Sequence, residues 1–296
     1  MSKYGMNDVV LWVYDPEFSD YVDHIPHRLL IYDCVDDYAS MPPERYEESK
    51  LAEIMDKDRE LTSKADIVFT TSKHLFETHR ALNPATYYTP NVADFEHNSR
   101  ALEASLPVPL ELVDLPHPII GFQGNLSSYK FDFDLIEELV SNRPTWSFVF
   151  VGPMETSKTV TDLSRFSIRH RLSQFPNVKM VGVKPYAELP AYYKAFDVVI
   201  MPNKMNDYNR SSFPLKFFEF LGAGLPVVMT ELPALAEFKD TPGVLMAKSL
   251  EEFLRLLDVA VAKGRSDGQQ ERMLLAKQNS WEWKVDRMLG IINEGL

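Results

Sequence analysis

Residues 209–230 contain a lysine and a glutamate whose spacing suits the recognition of a phosphorylated ligand. Lys216 and Glu219 are three residues apart in a segment with a helical pattern, so they share one face of a short helix. The polar stretch before this helix includes Ser211 and Ser212, which bring hydroxyl and N–H groups to a helix N-terminus, where anions bind. A cation for phosphate and a carboxylate for ribose hydroxyls together predict a site for a sugar nucleotide.

The residues that follow predict how this helix ends. Gly222 and Gly224 are typical of a helix C-terminus, and Pro226 precedes the apolar strand Val227–Met229. Two alternatives stay open at this point. For Lys216 and Glu219, the alternative is a solvated surface pair on a βαβ crossover. For Ser211 and Ser212, the alternative is that either one is the N-cap of the helix.

This segment resembles the donor-binding segment of GT-B glycosyltransferases, especially the family-four-like bacterial enzymes that build surface polysaccharides. The pattern in those enzymes is approximately Pro-Leu-Lys-x-x-Glu-Tyr-Leu-Ala-x-Gly-x-Pro-Val-Val. The matching residues here are Pro214, Leu215, Lys216, Glu219, Leu221, Gly224, Pro226, Val227 and Val228. The resemblance implies an α/β fold of GT-B type, with two Rossmann-like domains built on parallel sheets.

Further motifs extend the resemblance over nearly all of the chain. They are Tyr32–Tyr38, Ala65–Ser72, Pro90–Phe95, Gly121–Asn125 and Gly182–Pro190, and Trp281 and Trp283 open a final helix. The resemblance implies that this helix crosses back to the first domain. Family-four enzymes often carry a second glutamate eight residues before the one that binds ribose, but that position here is Ser211.

Two loops that follow predicted strands add donor-site candidates. Gly124 and Asn125 end a strand, where ligands bind in open α/β sheets, and Lys130 adds a positive charge nearby. The resemblance places Lys184, Pro185 and Tyr186 beside the nucleobase, with the tyrosine ring available for stacking. A plain βα turn and an ordinary loop remain the alternatives for these two segments.

Catalytic roles are predicted for Lys216 and for Asp36. Lys216 would stabilise the charge that develops on the leaving diphosphate. Asp33, Asp36 and Asp37 follow an apolar strand of the first domain, and Asp36 is the candidate to activate or orient an acceptor hydroxyl. Turn formation and helix capping are the alternative for all three aspartates.

No metal and no cofactor is expected. Asp132 and Asp134 form an Asp-x-Asp pattern, but they lie where a helix begins and where acidic residues are favoured for local reasons. The sequence spacing of His, Cys and Asp residues does not predict a metal site. Cys34, the single cysteine, lies in an apolar run and is interpreted as a buried strand residue rather than a nucleophile.

Composition and charge limit the classes of partner. The 296 residues carry a formal charge of −12, which argues against non-specific nucleic-acid binding. A local basic patch is one interpretation of Lys158, Arg165, Arg169, His170 and Arg171, and a solvated helix face is the other. With no signal-like N-terminus and no long apolar run, a cytoplasmic protein that touches the inner face of the membrane is expected.

Apolar runs and helical patterns alternate along the chain, which is typical of parallel α/β architecture. The predicted first domain covers residues 1–105, a proline-rich linker 106–117, the nucleotide-sugar-binding domain 118–280, and the returning helix 281–296. Predicted helices include Tyr46–Lys64, Asp132–Ser141, Thr159–Gln174 and Gln269–Glu294. The first domain is roughly 80–100 residues shorter than an ordinary domain of this kind. This predicts an exposed sheet edge, and either a homodimer or a partner subunit that completes the domain.

The expected function is therefore a hexosyltransferase-type glycosyltransferase that uses a UDP- or GDP-sugar donor and a saccharide or lipid-linked acceptor. The resemblance implies retention of anomeric configuration and independence from metal. Two other readings stay open. The chain is alternatively a nucleotide-binding subunit of a split transferase or a non-catalytic binding protein, or, on weaker grounds, a sugar-nucleotide epimerase.

Overall fold

The computed structural model of the protein describes residues 8–41, 46–153 and 170–295. Contacts within the chain divide it into two units. The N-terminal unit comprises Met1–Asn91, Arg210–Phe213 and Glu282–Leu296, and the C-terminal unit comprises Val92–Asn209 and Pro214–Trp281. The predicted division differs in two places, because residues 92–117 belong to the C-terminal unit and residues 210–213 to the N-terminal unit.

The N-terminal unit contains a four-stranded parallel sheet in the order β1-β2-β3-β4. Its strands are β1 (Val10–Val13), β2 (Leu29–Cys34), β3 (Ile67–Thr70) and β4 (Thr86–Tyr88). Its main helices are α1 (Ser19–Val22), α2 (Glu48–Lys64) and α3 (Lys73–Arg80). Ser72 caps α3, since its side chain accepts a hydrogen bond from the backbone N–H of Leu75.

The side chains of β2 alternate between two apolar clusters, as the pleat of a strand requires. One cluster contains Val13, Val22, Leu30, Tyr32, Cys34, Leu61, Ala65, Val68 and Leu75. The other contains Leu29, Ile31, Ile67, Phe69, Met288 and Ile292. Both faces of β2 and β3 are therefore covered, which explains why most residues of these strands are apolar.

The C-terminal helix belongs to the N-terminal unit, as the resemblance implied. Met288 and Ile292 are four residues apart, so they lie on one helix face and pack against β2 and β3. The prediction of a single helix over Gln269–Glu294 is wrong. Two helices, α10 (Gln269–Gln278) and α11 (Trp281–Gly295), are separated where Ser280 forms a parallel bridge with Ala93.

Strand β1 forms one edge of this sheet. Among the described residues it pairs with β2 alone. Near it the side chains of Val10, Tyr14, Phe18 and Tyr21 are exposed. The predicted self-association through an exposed edge stays a prediction.

The C-terminal unit contains a six-stranded parallel sheet in the order β10-β9-β8-β5-β6-β7. Its strands are β5 (Ile119–Gln123), β6 (Ser147–Val151), β7 (Val178–Gly182), β8 (Val198–Met201), β9 (Val227–Thr230) and β10 (Val244–Ala247). The strand order reverses between β5 and β8, and a crevice for ligands lies outside the carboxyl ends of strands at such a point. Strand β10 was not predicted from the sequence.

Seven of the helices in the described part of the chain lie wholly or mostly within this unit. They are α4 (Phe95–Ser99), α5 (Phe133–Asn142), α6 (Leu189–Ala195), α7 (Asp207–Ser211), α8 (Lys216–Gly222), α9 (Leu250–Lys263) and α10. An extended apolar core lies between β5, β6, β8 and the helices α5 and α9. This core fixes the carboxyl ends of β5 and β8, which carry the candidate site.

Candidate functional site

Helix α8 carries the two side chains that the sequence singled out. Phe217, Phe218 and Phe220 are fully buried, so the helix is held by its apolar face and leaves one face for Lys216 and Glu219. Lys216 Nζ lies 2.8 Å from Glu219 Oε2. Their side chains are 29% and 14% exposed, respectively, so the pair is partly buried rather than solvated on the surface.

The end of α8 has the hydrogen bonds of a Schellman motif. The N–H of Leu225 donates to the carbonyl of Phe220, and the N–H of Gly224 donates to the carbonyl of Leu221. Gly224 has φ +74°, a left-handed conformation that glycine adopts without steric cost. The predicted glycine-closed helix is therefore confirmed.

A buried tyrosine holds the Glu219 carboxylate in place. The Tyr193 hydroxyl, on α6, lies 3.1 Å from Glu219 Oε2 and 3.0 Å from Oε1 of Gln123, at the end of β5. Tyr193 is fully buried, and burial raises the pKa of its hydroxyl well above the ordinary value, so it remains a neutral hydrogen-bond donor. Glu219 is thus fixed by α6 as well as by Lys216.

Gly124 lies directly beside the Lys216 side chain. A Cβ added at Gly124 would lie 3.8 Å from Lys216 Cε, and the residue has φ +153°. A Cβ at Gly152, after β6, would lie 2.0 Å from the Gly124 carbonyl oxygen. The two turns pack backbone against backbone, and the structure therefore brings together the predicted residues Gly124, Lys216 and Glu219 at the carboxyl end of β5.

Tyr186 stacks on the imidazole of His97. The ring centroids are 3.9 Å apart and the planes are inclined by 13°. Burial, with smaller contributions from the charges of Asp94 and Glu219, raises the pKa of the Tyr186 hydroxyl to about 12. Tyr186 is half exposed. A nucleobase that stacks on it, as predicted, would either displace His97 or add to the existing Tyr186–His97 stack.

The other two candidate lysines are engaged by neighbouring groups. Lys130 Nζ lies 5.3 Å from the ring centre of Tyr129 and 5.0 Å from that of Tyr208, within the range of cation–π attraction. Lys184 Nζ lies 2.9 Å from Glu111 Oε1. Their predicted donor contacts stay predictions. The same holds for Pro185 and for the exposed Asn125.

Two buried polar atoms lie in the loops that follow β5 and β8. Within the described ranges, Ser127 Oγ and Asn203 Oδ1 have no hydrogen-bond partner in the protein, although both residues are buried. Leaving a buried polar atom without a partner is costly. These loops flank the point at which the strand order reverses, so the atoms are suited to contact a polar ligand.

Ser211 and Ser212 fall in the N-terminal unit, at the end of α7 and just after it. Their interpretation as an N-cap of the helix that carries Glu219 is wrong. That helix begins at Lys216, its N-cap is Leu215, and no side chain caps it. Their predicted phosphate contacts stay predictions.

Asp132 caps helix α5, which is a local structural role. Its carboxylate accepts a hydrogen bond from the N–H of Leu135, and Asp134 pairs with Arg171. The local explanation of this Asp-x-Asp pattern is therefore confirmed.

The three aspartates near the end of β2 have different environments. Asp37 caps a short turn, accepting from Ala39 N and Ser40 Oγ, as the structural alternative required. Asp33 is buried. Burial raises the pKa of its carboxyl, while the positive charge of Lys284 opposes that rise. Asp36 is half-buried, and its acceptor role stays a prediction.

The proposed basic patch is described only in part. Lys158, Arg165 and Arg169 lie outside the described residues, as does most of the predicted helix Thr159–Gln174. Arg171 pairs with Asp134 and Glu137, which favours the solvated-face interpretation for this residue. No helix within the described ranges has the length and apolar character needed to cross a bilayer.

Sequence reasoning missed Gln123, Tyr193 and His97. Gln123 is the last residue of β5 and directly precedes Gly124. That position at the end of a strand was the one available signal that it lies in the site. Tyr193 and His97 reach the site from α6 and α4, and no local pattern marks them.

Comparisons with known proteins show the family of the chain. Residues 117–264 match the family model described as glycosyl transferases, group 1. Over 239 residues the chain is 30% identical to a putative teichuronic acid biosynthesis glycosyltransferase of Bacillus subtilis. That match covers 77% of this chain and 57% of the relative, so the chain spans little more than half of the relative's length.

Solved structures share the fold at low identity. The HepE protein of Anabaena, in complex with UDP and glucose, is 15% identical, with a TM-score of 0.72 and coverage of 97% of this chain and 78% of that one. Sucrose-phosphate synthase of Thermosynechococcus elongatus is 16% identical, with a TM-score of 0.70 and coverage of 99% and 74%. The predicted fold, α/β of GT-B type with two parallel sheets, is confirmed.

Proposed function

The chain belongs to the group 1 glycosyl transferases, and on that premise we propose that it moves a sugar from a nucleotide-sugar donor to a saccharide or lipid-linked acceptor. One observation carries the proposal. The Lys216–Glu219 pair lies beside Gly124, at the point of the C-terminal sheet where an α/β fold binds ligands. A role in surface polysaccharide synthesis follows from the similarity to the Bacillus subtilis relative.

Lys216 and Glu219 have complementary roles in this proposal. Glu219 accepts hydrogen bonds from the ribose hydroxyls, and the Tyr193 hydroxyl keeps its carboxylate oriented. Lys216 turns from Glu219 towards the diphosphate, which the Gly124 backbone can approach closely because no side chain intervenes. The ion pair thus holds the Lys216 and Glu219 side chains near their proposed binding positions before the donor arrives. It separates when the donor binds.

The donor is proposed to be a UDP-sugar. Two fold neighbours support this choice, since HepE of Anabaena is described with UDP-glucose and TarM of Staphylococcus aureus with UDP. Transfer is proposed to retain anomeric configuration and to need no metal, because Lys216 supplies the charge that a metal would otherwise supply. Asp36 is proposed to activate or orient the acceptor hydroxyl, and Ser211 and Ser212 are proposed to contact phosphate. Peripheral contact with a membrane would give access to a lipid-linked acceptor.

The direct test is calorimetric titration of the purified chain with UDP, GDP, ADP and their sugars. We expect micromolar binding of the UDP ligands that is lost in Glu219→Ala. Glu251→Ala, an exposed glutamate on α9 of the same unit, is the matched control and should bind normally. If the folded protein binds none of these ligands, the proposal is contradicted.

A transfer assay then separates the enzyme from the second candidate. With a UDP-sugar and lipid or saccharide acceptors, release of UDP and labelling of the acceptor support transfer. Tight binding of UDP-sugar without transfer would favour a nucleotide-binding subunit that acts with another chain.

Replacing Tyr193 with phenylalanine is expected to weaken UDP-sugar binding by about 10–150-fold, since a hydrogen bond to a charged group contributes about 1.5–3 kcal/mol. The aromatic ring still fills the core, so the fold should be retained. Tyr192→Phe is the matched control, because its hydroxyl donates to Glu111 instead of Glu219. Equal effects of both variants on binding would show that Tyr193 does not orient Glu219.

A further inference from the structure

A second group of polar side chains lies in the N-terminal unit and includes no residue assigned to donor binding. It contains Cys34 at the end of β2, Asp58 on α2 and His79 on α3. Cys34 Sγ lies 3.8 Å from Asp58 Oδ1, and His79 Nε2 lies 3.2 Å from the same oxygen. All three atoms lie within 4.8 Å of one another. A thiol, an imidazole and a carboxylate thus converge on a single point.

The orientation of His79 leaves Nε2 directed at this point. Nδ1 lies 2.9 Å from the carbonyl oxygen of Leu75, an atom that can only accept a hydrogen bond, so Nδ1 carries the proton. Nε2 then presents a lone pair towards Asp58 unless it too is protonated. Histidines that bind metals are characteristically held in this way, with the second ring nitrogen donating to a backbone carbonyl.

Asp58 is held by a second group outside the three ligand atoms. The hydroxyl of Tyr32, on β2, donates to Asp58 Oδ1. Tyr32 and Cys34 are fully buried and His79 nearly so, whereas Asp58 is partly exposed. The cluster therefore has a dry interior, an oriented carboxylate and one side through which an ion from solvent can enter.

We propose that Cys34 Sγ, Asp58 Oδ1 and His79 Nε2 bind one divalent transition-metal ion of the Zn²⁺ class. Zinc bonds of about 2.3 Å to sulfur and about 2.0 Å to nitrogen or oxygen place tetrahedral ligands about 3.2–3.6 Å apart. The distances from Asp58 Oδ1 to His79 Nε2 (3.2 Å) and to Cys34 Sγ (3.8 Å) are close to this range, and with all three atoms within 4.8 Å the cluster would contract slightly around the ion. Three protein ligands leave the fourth position to water. On binding, the Cys34 thiol gives its proton to solvent and coordinates as thiolate.

Such an ion would link three elements of the N-terminal unit. Cys34, Asp58 and His79 belong to β2, α2 and α3, which otherwise contact one another through apolar packing. None of the three ligands belongs to the donor-binding set, and the role proposed for the ion is to stabilise this unit. Without an ion, the same atoms would form a buried imidazolium–carboxylate pair, and that arrangement is the alternative that the experiment must exclude.

Cobalt is the probe, because Co²⁺ bound to a thiolate has a charge-transfer absorption band in the near ultraviolet. The full chain is treated with chelator, dialysed and titrated with CoCl₂. We expect one equivalent of Co²⁺ to produce this band, Zn²⁺ to abolish it by displacement, and Zn²⁺ to raise the Tm. Cys34→Ser, a nearly isosteric change, should lack the band.

Three variants locate the site. His79→Gln should lose the cobalt band, whereas His74→Gln, an exposed histidine on the same helix, should retain it. Tyr32→Phe keeps all three ligands but frees Asp58, and should weaken Co²⁺ affinity by about 10–100-fold. Circular dichroism verifies that each variant is folded. Absence of the band in the folded wild-type chain, or its persistence in His79→Gln, would overturn the proposal.

Discussion

Replacement of Lys216 by alanine is expected to lower the kcat of sugar transfer by about 10²–10³-fold, the effect of removing one preorganised group that stabilises developing charge. Negative charge grows on the diphosphate as the bond to the sugar breaks. Lys216 is placed for this charge by its ion pair with Glu219 and by its packing against Gly124. Initial rates at saturating UDP-sugar measure the effect.

The division between kcat and KM tests the assigned role. Lys216→Ala leaves Glu219 and Tyr193 in place, so ribose recognition should persist and KM should change much less than kcat. Lys248→Ala, a highly exposed lysine of the same unit, is the control and should behave as wild type. A variant whose KM rises while kcat is unchanged would show that Lys216 contributes uniform binding and no transition-state stabilisation.

Much of the donor segment was predictable because its signals are local. The helix over Lys216–Gly222, its glycine-closed end and the strand after Pro226 follow from residues within about one helical turn of each feature. The start of α5 near Asp132 was found for the same reason, although its role as the N-cap was not predicted: its side chain bonds to an N–H three residues away.

Features made by residues distant in sequence were missed. Tyr193 meets Glu219 across 26 positions and Gln123 across 70, so no spacing rule reveals the contact. Asp58 stands 24 residues from Cys34 and 21 from His79, on three different elements, and metal-site spacings apply to ligands much closer together. Packing of whole elements, rather than local pattern, creates these clusters.

Two errors of secondary structure have the same origin. Strand β10 is a run of four residues, and a run of that length does not distinguish a strand from part of a helix. It becomes a strand because β9 offers it a pairing edge. The continuous helix predicted over Gln269–Glu294 is broken because the Asn279 carbonyl accepts a hydrogen bond from Ala93, a residue far away in sequence.

Replacement of Arg272 by methionine is expected to lower the free energy of unfolding by about 3–5 kcal/mol, the range seen when one partner of a buried charged network is removed. Arg272 is fully buried on α10. Its guanidinium donates to four backbone carbonyl oxygens, those of Pro242, Asp267, Gly224 and Arg265. Methionine fills much of the volume but leaves these acceptors buried without a donor.

Burial of the Arg272 charge opposes folding, so its net contribution to stability must come from its hydrogen bonds. Burial, together with the positive charge of Arg265, lowers the pKa of Arg272 to about 10. That value is still well above neutral pH, so the group stays protonated in the folded and the unfolded chain, and the loss in Arg272→Met should be the same between pH 6 and 8. Urea unfolding followed by circular dichroism measures it. Arg255→Met, an exposed arginine on α9, is the control.

The loss should extend to the donor site, because Arg272 and Arg265 hold the C-terminal end of α8. Arg265 donates to the carbonyl of Ala223 and Arg272 to that of Gly224, where positive charge also interacts favourably with the helix dipole. Conditions in which Arg272→Met remains folded should therefore reveal weaker UDP-sugar binding than in wild type. Unchanged stability would mean that water replaces the guanidinium at all four carbonyls. Normal binding in the folded variant would mean that the apolar face of α8 positions Lys216 and Glu219 without help from the C-terminal end of the helix.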